Sequence, residues 1–431
     1  MDIYEIIKYI LDNEIYQNKV INMVPSENSQ SLVSKLPLLF DIGDRYFFND
    51  TLDDSNWNFR GNQNASLIET DVVIPLLKKL AKCSYVNIRP ISGLNCMALV
   101  LAALGGGKGS KILTVSPKQG GHYATVDLAR SFGLTVEYLK ADTEYFINYD
   151  QVKKQLVNEH VTLIYLDQSH LLFPIDIMKL SKIVKRYSPN TILHVDVSHT
   201  LGLILGNALP NPLDCGADSF GGSTHKTFPG PQRGIICTNS HKIHKIIKEK
   251  QSFMISSHHY GTIASLAISL KEFEKYGVKY ANQIIKNSKV LANELDKLGF
   301  DVKAKEFGFT ECHQIWVDTK PLGVDSYTAS EKLHNCGINV NALNELPCST
   351  CYLLRIGVNE ITKLGAKEFD MKKIAEVMKL IILENNENEI EKLRNKVFYI
   401  KNEISGFCSY KNDQAMKKEL KDSFNMLLNT I

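Results

Sequence analysis

Short apolar segments alternate with longer amphipathic segments through the middle of this 431-residue chain. The apolar segments have the length of buried strands, and the spacers have the periodicity of helices. A chain built in this way folds into an α/β architecture, a mostly parallel, doubly wound sheet with helices on both faces. The predicted strands are residues 85–88, 111–115, 135–139, 162–166 and 191–195, and the predicted helices are residues 70–82, 92–104, 124–132, 149–159 and 177–187.

The remainder of the chain has a sparser pattern. Helices are expected at residues 256–272 and 277–298, followed by separated strands and a helix at 371–384. This pattern predicts a smaller α+β domain, followed by charged helices. The predicted organisation is an N-terminal segment at 1–65, a large domain at 66–285, a small C-terminal domain at 286–385 and a helical extension at 386–431.

The charge and the cysteine content narrow the classes of partner. A net charge of +3 is small for this length, so nucleic acid and membranes are not expected partners. The first residues lack the basic start of a signal peptide, and no stretch reaches the roughly 18 apolar residues that span a bilayer. Nine scattered cysteines suit a reduced compartment, so a cytoplasmic location is expected. The CxxC pair at 348–351 has no second ligand pair nearby, and no metal is expected.

The stretch at residues 219–234, SFGGSTHKTFPGPQRG, places a single lysine, Lys226, among small and hydroxylated residues. Partial burial disfavours an ammonium group and exposes a nucleophilic amine. Lysines that form Schiff bases with pyridoxal phosphate need that property. Lys226 is therefore a candidate covalent anchor for this cofactor.

Four further features lie at strand ends or helix starts, where doubly wound sheets bind ligands. Asp196 ends a strand and suits a pyridinium nitrogen, although a helix cap or an ion pair also explains it. The Ser92-Gly93 pair opens a helix and suits a phosphate, or serves as an ordinary cap. His122 suits stacking on a planar ring, or a structural role. Arg355 lies in an apolar run and needs a partner, either a substrate carboxylate or an internal acid.

Several motifs follow one another in a fixed order between about residues 20 and 380, and together they resemble the serine hydroxymethyltransferase family. They are PSEN at 25–28, SG at 92–93, GGH at 120–122, VDVSHTLGL at 195–203, STHKT with GP at 223–231 and LRIG at 354–357. The resemblance implies the aspartate aminotransferase-like fold (fold type I) of pyridoxal-phosphate-dependent transferases. It also implies pyridoxal 5'-phosphate as cofactor and a homodimer with shared active sites.

The resemblance assigns roles to individual residues around the cofactor. Lys226 would carry the Schiff base, Asp196 would pair with the ring nitrogen, and His122 would stack on the ring. The other implied cofactor-binding residues are Ser92, Gly93, Leu94, Ser169, Thr224 and His199, the last near the ring hydroxyl.

The same resemblance implies how the substrate is held. Ser26 and Arg355 would bind the amino acid carboxylate, with Glu27 in the same motif as Ser26, and Tyr46 would stand at the mouth of the site. The implied catalytic residues are Lys226, His122, His199, Tyr46 and His225.

Residues 48–60 depart from the family pattern at positions that serve folate chemistry. Phe48 stands where the family has a glutamate that handles protons, and phenylalanine cannot transfer a proton. Phe59 and Arg60 replace paired tyrosines, and the fixed charge of Arg60 predicts a substrate-binding role toward an anionic or strongly polar group. The cofactor half of the family pattern is kept, whereas the folate half is changed.

These features predict an enzyme that makes or breaks the Cα–Cβ bond of β-hydroxy amino acids through a glycine quinonoid. A folate-independent aldolase or transaldolase, acting on an amino acid and an aldehyde, is the leading hypothesis. One alternative is a folate-dependent serine/glycine hydroxymethyltransferase. Others are transamination or racemisation at Cα, and a catalytically silent relative, which the retained Lys226, Asp196 and His122 oppose.

Overall fold

The computed structural model describes residues 1–46, 59, 66–257, 259–404, 406–407 and 413–429. Its strands are β1 Ile21–Asn22, β2 Tyr85–Asn87, β3 Lys111–Thr114, β4 Thr135–Tyr138, β5 Val161–Asp167, β6 Ile192–Asp196, β7 Ser219–Ser223, β8 Gly234–Thr238, β9 Asp301–Val302, β10 Gln314–Asp318, β11 Ile338–Asn339, β12 Asn341–Leu343 and β13 Leu353–Gly357.

The helices alternate with these strands. They are α1 Ile3–Gln17, α2 Leu32–Lys35, α3 Ile74–Ala81, α4 Gly93–Leu104, α5 Thr125–Ser131, α6 Tyr149–Asn158, α7 Ile177–Tyr187, α8 Leu201–Leu205, α9 His241–Met254, α10 Tyr260–Lys297, α11 Ser326–Asn335, α12 Asn359–Lys363, α13 Glu368–Leu383, α14 Glu387–Glu403 and α15 Gln414–Leu428. A π-helix, Ile68–Val73, leads into α3. Within the described ranges, no helix combines the length and the apolar character that a membrane-spanning segment requires.

Seven strands form the main sheet in the order β2-β8-β7-β6-β5-β3-β4. The strands from β7 to β4 run parallel. At one edge β8 pairs antiparallel with β7, and β2 pairs antiparallel with β8. Every residue of β7 and β8 is buried, as expected for strands that are covered on both faces. The predicted mostly parallel, doubly wound sheet is confirmed.

Helix α4 packs one of its faces onto this sheet. Its Leu99, Val100 and Leu101 are buried in a cluster that also contains Ile112 of β3 and Leu163 of β5. Full burial of one such side chain contributes about 1.5–3 kcal/mol relative to exposure. The packing therefore fixes the axis of α4, and with it the start of the helix at the edge of the sheet.

Helix α10 differs from the prediction, because it is one helix of 38 residues where two were expected. The sequence pattern predicts a break at 273–276, but Phe273, Tyr276 and Tyr280 are all buried. Their spacing of three and four residues continues a single helical face. No proline interrupts the segment, so nothing in the backbone ends the helix there.

The described chain forms two compact units. One contains residues 28–282 and the C-terminal residues from 408, and it carries the seven-stranded sheet. The other contains residues 1–27 and 283–407. In this second unit an antiparallel sheet has the order β12-β13-β10-β9, and β1 pairs in parallel with β11. The domain boundaries that the sequence suggests stay predictions.

Candidate active site

The carboxyl ends of β5 and β6 place two carboxylates side by side. Asp167 ends β5, Asp196 ends β6, and the two are register partners in the parallel ladder. Open α/β sheets bind ligands at this edge. The edge of the sheet therefore presents the acid that the sequence predicts, Asp196, together with one that it does not.

Asp196 is held by a tyrosine from the neighbouring strand. The hydroxyl of Tyr165 donates to Asp196 Oδ2 at 2.8 Å, and the backbone N–H of Ser198 donates to Oδ1 at 2.8 Å. Tyr165 is fully buried and stacks on His194, with ring centroids 5.2 Å apart. Burial and the nearby Asp196 charge raise the pKa of Tyr165 far above its ordinary value, so the phenol stays a donor.

Lys226 lies in a loop whose backbone is tied down on both sides. Asn28 Nδ2 donates to the carbonyl of Lys226 at 2.6 Å and to Tyr280 Oη at 2.9 Å. The Tyr280 hydroxyl donates in turn to the Thr227 carbonyl at 3.0 Å. The hydroxyl of Thr227 donates to the His199 carbonyl at 2.9 Å. These bonds fix the backbone that carries the lysine side chain.

Thr224 stabilises the same loop from its other end. Its hydroxyl donates to the Pro231 carbonyl at 2.6 Å, and its carbonyl accepts from the Gly230 N–H at 3.0 Å. The side chain of Thr224 is fully buried. Thr224 therefore closes the turn that follows Lys226.

The start of α4 forms another wall of the site. Ser92 is the N-cap, with its Oγ accepting from the Asn95 N–H at 3.0 Å, so the ordinary capping role that the sequence left open is present. The first N–H groups of a helix of this length point outward and suit an anion. A Cβ on Gly93 would lie 3.0 Å from Ser223 Cβ, which is a tight contact, so glycine favours the close approach of α4 to β7.

His122 follows a turn that only glycine can form. Gly120 has φ of +89°, and a Cβ there would lie 1.8 Å from the His170 carbonyl oxygen. The Ala124 N–H donates to His122 Nδ1 at 3.2 Å, so the neutral ring carries its proton on Nε2. Burial lowers the pKa of His122, with the Asp196 charge opposing and the Lys226 charge reinforcing the effect.

His225 is a second imidazole at this site. Burial, helped by the neighbouring Lys226 charge, lowers the pKa of His225 to about 4, so the ring is neutral at about pH 7. Among the described residues, none bonds to its buried Nδ1. His225 is therefore a neutral imidazole with one ring nitrogen that no described residue bonds.

A cavity of about 230 Å³ lies between these elements. The predicted site residues that line it are Lys226, His122, His199, His225, Asp196, Ser92, Gly93, Leu94 and Ser169. Sequence reasoning missed the further lining residues Met97, Asp167, Gln168, Ser198 and Ser223. Asp167 had the signal that identified Asp196, a carboxylate at the end of an apolar strand.

Arg355, Ser26 and Glu27 belong to the other compact unit. Arg355 is buried in β13, where its Nε donates to Gln314 Oε1 at 2.8 Å. Burial lowers the pKa of Arg355 to about 10. The segment just before Ser26 lies against the end of β13, because the Gly357 N–H donates to the Met23 carbonyl at 2.7 Å.

The predicted mouth residues are only partly within the described chain. Tyr46 is more than half exposed and stacks on Phe59, with centroids 5.4 Å apart. Within the described residues, the wall of the cavity does not include Tyr46. Arg60 and Phe48 lie outside the described residues, so their predicted roles stay predictions.

The donor set fits pyridoxal phosphate better than a metal ion. The described residues contain no group of three or more His, Cys, Asp or Glu side chains arranged to hold a metal. The cavity wall does contain polar atoms that await a partner: in the described chain, Ser223 Oγ and His225 Nδ1 are buried without one. A carboxylate, a lysine and a helix start around one small cavity match the ring nitrogen, the aldehyde and the phosphate of this cofactor.

Comparisons with known proteins agree with this geometry. The family model for serine hydroxymethyltransferase matches residues 2–378. An L-threonine:uridine-5'-aldehyde transaldolase from a Streptomyces species is 42% identical over 363 residues, covering 83% of this chain and 86% of that protein. Serine hydroxymethyltransferase from Archaeoglobus fulgidus is 33% identical over 416 residues, covering 94% and 88%. The crystal structure of L-threonine transaldolase from Pseudomonas fluorescens in internal aldimine state matches with a TM-score of 0.82 and 26% identity, over 94% of this chain and 92% of that chain.

Proposed function

This chain belongs to the serine hydroxymethyltransferase family, and we propose that it is a pyridoxal-phosphate-dependent, folate-independent transaldolase. The observation that carries the proposal is the cavity at the sheet edge, where Lys226, Asp196 and His122 meet. The net reaction exchanges aldehydes. L-Threonine and an acceptor aldehyde yield acetaldehyde and a new β-hydroxy-α-amino acid, so that one Cα–Cβ bond breaks and another forms.

The residues of the cavity divide the binding of the cofactor among them. When bound, pyridoxal phosphate withdraws electrons from the Cα of an attached amino acid. Asp196 would hold a proton on the ring nitrogen, and the start of α4 at Ser92 and Gly93 would bind the phosphate. Lys226 would supply the anchoring amine. The remaining contacts are proposed for Leu94, Ser169 and His199. Thr224 does not line the cavity and is proposed to act through the loop that it closes.

The two imidazoles suit different tasks. His122 uses its Nδ1 to accept the Ala124 N–H, so it has no acceptor left for a substrate proton and is proposed to stack on the ring. His225 is neutral and its Nδ1 bonds no described residue, so we assign it the removal of the proton from the β-hydroxyl of threonine. We propose that Arg355 and Ser26 bind the carboxylate of the amino acid substrate, because a guanidinium can bind a carboxylate bidentately.

The acceptor is proposed to be a nucleoside 5'-aldehyde. The support is the name of the Streptomyces relative, which describes uridine-5'-aldehyde as its co-substrate. A nucleoside carries polar ring atoms and hydroxyls, which agree with the polar acceptor predicted from Arg60. Tyr46 is also proposed to contact this acceptor.

The proposal is tested with purified protein, pyridoxal phosphate and L-threonine, with and without uridine-5'-aldehyde. We expect release of acetaldehyde and an adduct of the aldehyde with the glycine unit, identified by mass spectrometry. Lys226→Ala is the control, and it should lose both products together with the cofactor's protein-bound absorbance. Threonine consumption that yields no adduct with any aldehyde would reduce the proposal to a simple aldolase.

A folate-dependent hydroxymethyltransferase is the second candidate, and the 33% identity to the Archaeoglobus fulgidus enzyme favours it. It is distinguished by serine as substrate. A rate of serine-to-glycine conversion that increases with added tetrahydrofolate supports this candidate, whereas a rate that does not change supports the transaldolase.

We also propose that the protein works as a homodimer. The support is α1, which has no fully buried residue and carries the exposed side chains of Ile3, Ile6, Ile7 and Ile10 on one side. Residues at this spacing form an apolar stripe that a second copy would cover. Light scattering of the purified protein tests the assembly.

A cytoplasmic location stays a prediction.

A further inference from the structure

Asp167 makes three hydrogen bonds to residues that are distant from it in the sequence. Its Oδ1 accepts from the Thr114 hydroxyl at 2.9 Å. Its Oδ2 accepts from the backbone N–H of His122 at 3.2 Å and from the hydroxyl of Thr125. The carboxyl is 2% exposed. One buried side chain therefore joins the end of β3, the end of β5 and both ends of the short segment from His122 to Thr125.

We propose that Asp167 is a positioning residue for His122, fixing the backbone of this histidine and the first residue of α5 so that the imidazole keeps its place at the cavity. This inference rests on the proposed function, in which His122 stacks on the cofactor ring. Asp167 also lines the cavity, but its two oxygens already serve the protein, so it acts through His122 rather than on substrate.

The surroundings of Asp167 favour the neutral carboxylic acid. The pKa of Asp167 is raised to about 8 in total. Burial is the largest cause and the Asp196 charge adds to it, whereas the hydrogen bonds from Thr125, Thr114 and His122 act in the opposite direction. An amide is therefore a close substitute. In Asp167→Asn the amide oxygen can accept from His122 and Thr125, and the NH₂ can face Thr114, whose hydroxyl accepts as well as donates.

The proposal predicts that two substitutions at this position differ in their effect on cofactor retention. Asp167→Asn should retain the cofactor within about twofold of the wild type, because all three bonds can reform. Asp167→Ala should weaken cofactor retention about tenfold or more, since it loses every one of them. The matched control is Asp218→Ala, which removes a carboxylate that accepts from the Leu193 N–H at 2.8 Å beside the start of β7. It should leave cofactor retention unchanged.

Two spectroscopic readouts separate positioning from general stability. Circular dichroism of the bound cofactor reports the setting of its ring, and it should change in Asp167→Ala but not in Asp167→Asn or Asp218→Ala. In the cofactor-free protein, NMR of the imidazole of His122, assigned with His122→Asn, should change in the same pattern. Because this second readout needs no cofactor, it tests Asp167 even if the proposed function fails.

A further variant covers the case in which Asp167→Ala does not fold. Thr125→Val keeps the side-chain shape and removes one hydroxyl from Asp167, so it should shift the His122 signal in the same direction by less. Wild-type spectra in both Asp167→Ala and Thr125→Val would overturn the proposal. An Asp167→Asn variant as impaired as Asp167→Ala would also overturn it, because an amide that can form the same hydrogen bonds would then give no benefit.

Discussion

Asp167 and Asp196 occupy partnered positions on adjacent strands, yet the protein surrounds the two carboxyl groups differently. Asp167 is buried, and burial raises its pKa to about 8. Asp196 is half-buried and is held at both oxygens, by the Tyr165 hydroxyl and by the Ser198 N–H. The nearby Asp196 charge acts on the pKa of Asp167 in the same direction. Asp167 therefore keeps its proton at about pH 7, and the two partnered carboxyl groups do not both carry a charge.

Tyr165→Phe tests how much the hold on Asp196 matters. The phenyl ring keeps the stack on His194 but loses the hydroxyl donor, which is worth about 0.5–1.5 kcal/mol. We expect the rate of threonine cleavage to fall about three- to tenfold with little loss of stability. Steady-state kinetics measure the change. Tyr149→Phe, which removes a hydroxyl that bonds Asp176, is the control and should leave the rate unchanged.

The fold could be predicted from the sequence where buried residues follow one another without interruption along the chain. Strands such as β5 and β6 are nearly uninterrupted apolar runs, so their positions came within one or two residues of the structure. The antiparallel attachment of β2 to β8 is different, because it depends on a partner about 150 residues away. The prediction of a break in α10 was wrong. The charged residues at 274–275 lie on the exposed side of the helix, and they interrupt the apolar pattern along the sequence without interrupting the buried face.

The site was readable where a residue stands in a motif. Lys226, Asp196 and His122 were identified in this way, and all three line the cavity. Tyr165 was not identified, because within an apolar strand a tyrosine indicates only core. Its hydrogen bond arises across the sheet, from β5 to β6, and no local pattern encodes that register.

Gly202→Ala tests the attachment of the lysine loop to α8. A Cβ at this position would lie 2.3 Å from the Thr227 carbonyl oxygen, which is backbone and cannot move aside without shifting Lys226. We expect cofactor binding to weaken about tenfold or more and stability to fall by about 1–3 kcal/mol. Equilibrium dialysis and urea unfolding measure the two effects. Gly43→Ala is the control, since no described atom lies within 4 Å of its added Cβ; equal effects at both glycines would contradict this prediction.

Substitutions of Arg355 test whether this residue binds the substrate carboxylate. Charge-assisted bonds to a guanidinium are worth about 1.5–3 kcal/mol, so Arg355→Ala should raise the KM for L-threonine roughly ten- to hundredfold. Arg355→Lys should restore little of this, because an ammonium lacks the planar fork. Arg394→Lys, which alters an exposed ion pair with Glu391, is the control. An Arg355→Lys enzyme with the wild-type KM would show that charge alone is needed and would exclude bidentate binding.

His194 makes the stability of the protein depend on pH in a defined direction. Burial lowers the pKa of His194 from 6.5 to about 4, so between these values the unfolded chain binds a proton that the folded chain does not. Stability is therefore complete above about pH 6.5 and falls as the pH decreases, by about 2–3 kcal/mol for this group at about pH 4.5. In urea unfolding, His194→Asn should lose this part of the slope. Ser219→Ala removes the partner 2.8 Å from His194 Nδ1 but keeps the titrating ring, so it should be less stable yet retain the slope. A slope that His194→Asn leaves intact would assign the acid sensitivity to another buried imidazole, and His225, whose pKa is also about 4, is the one to substitute next.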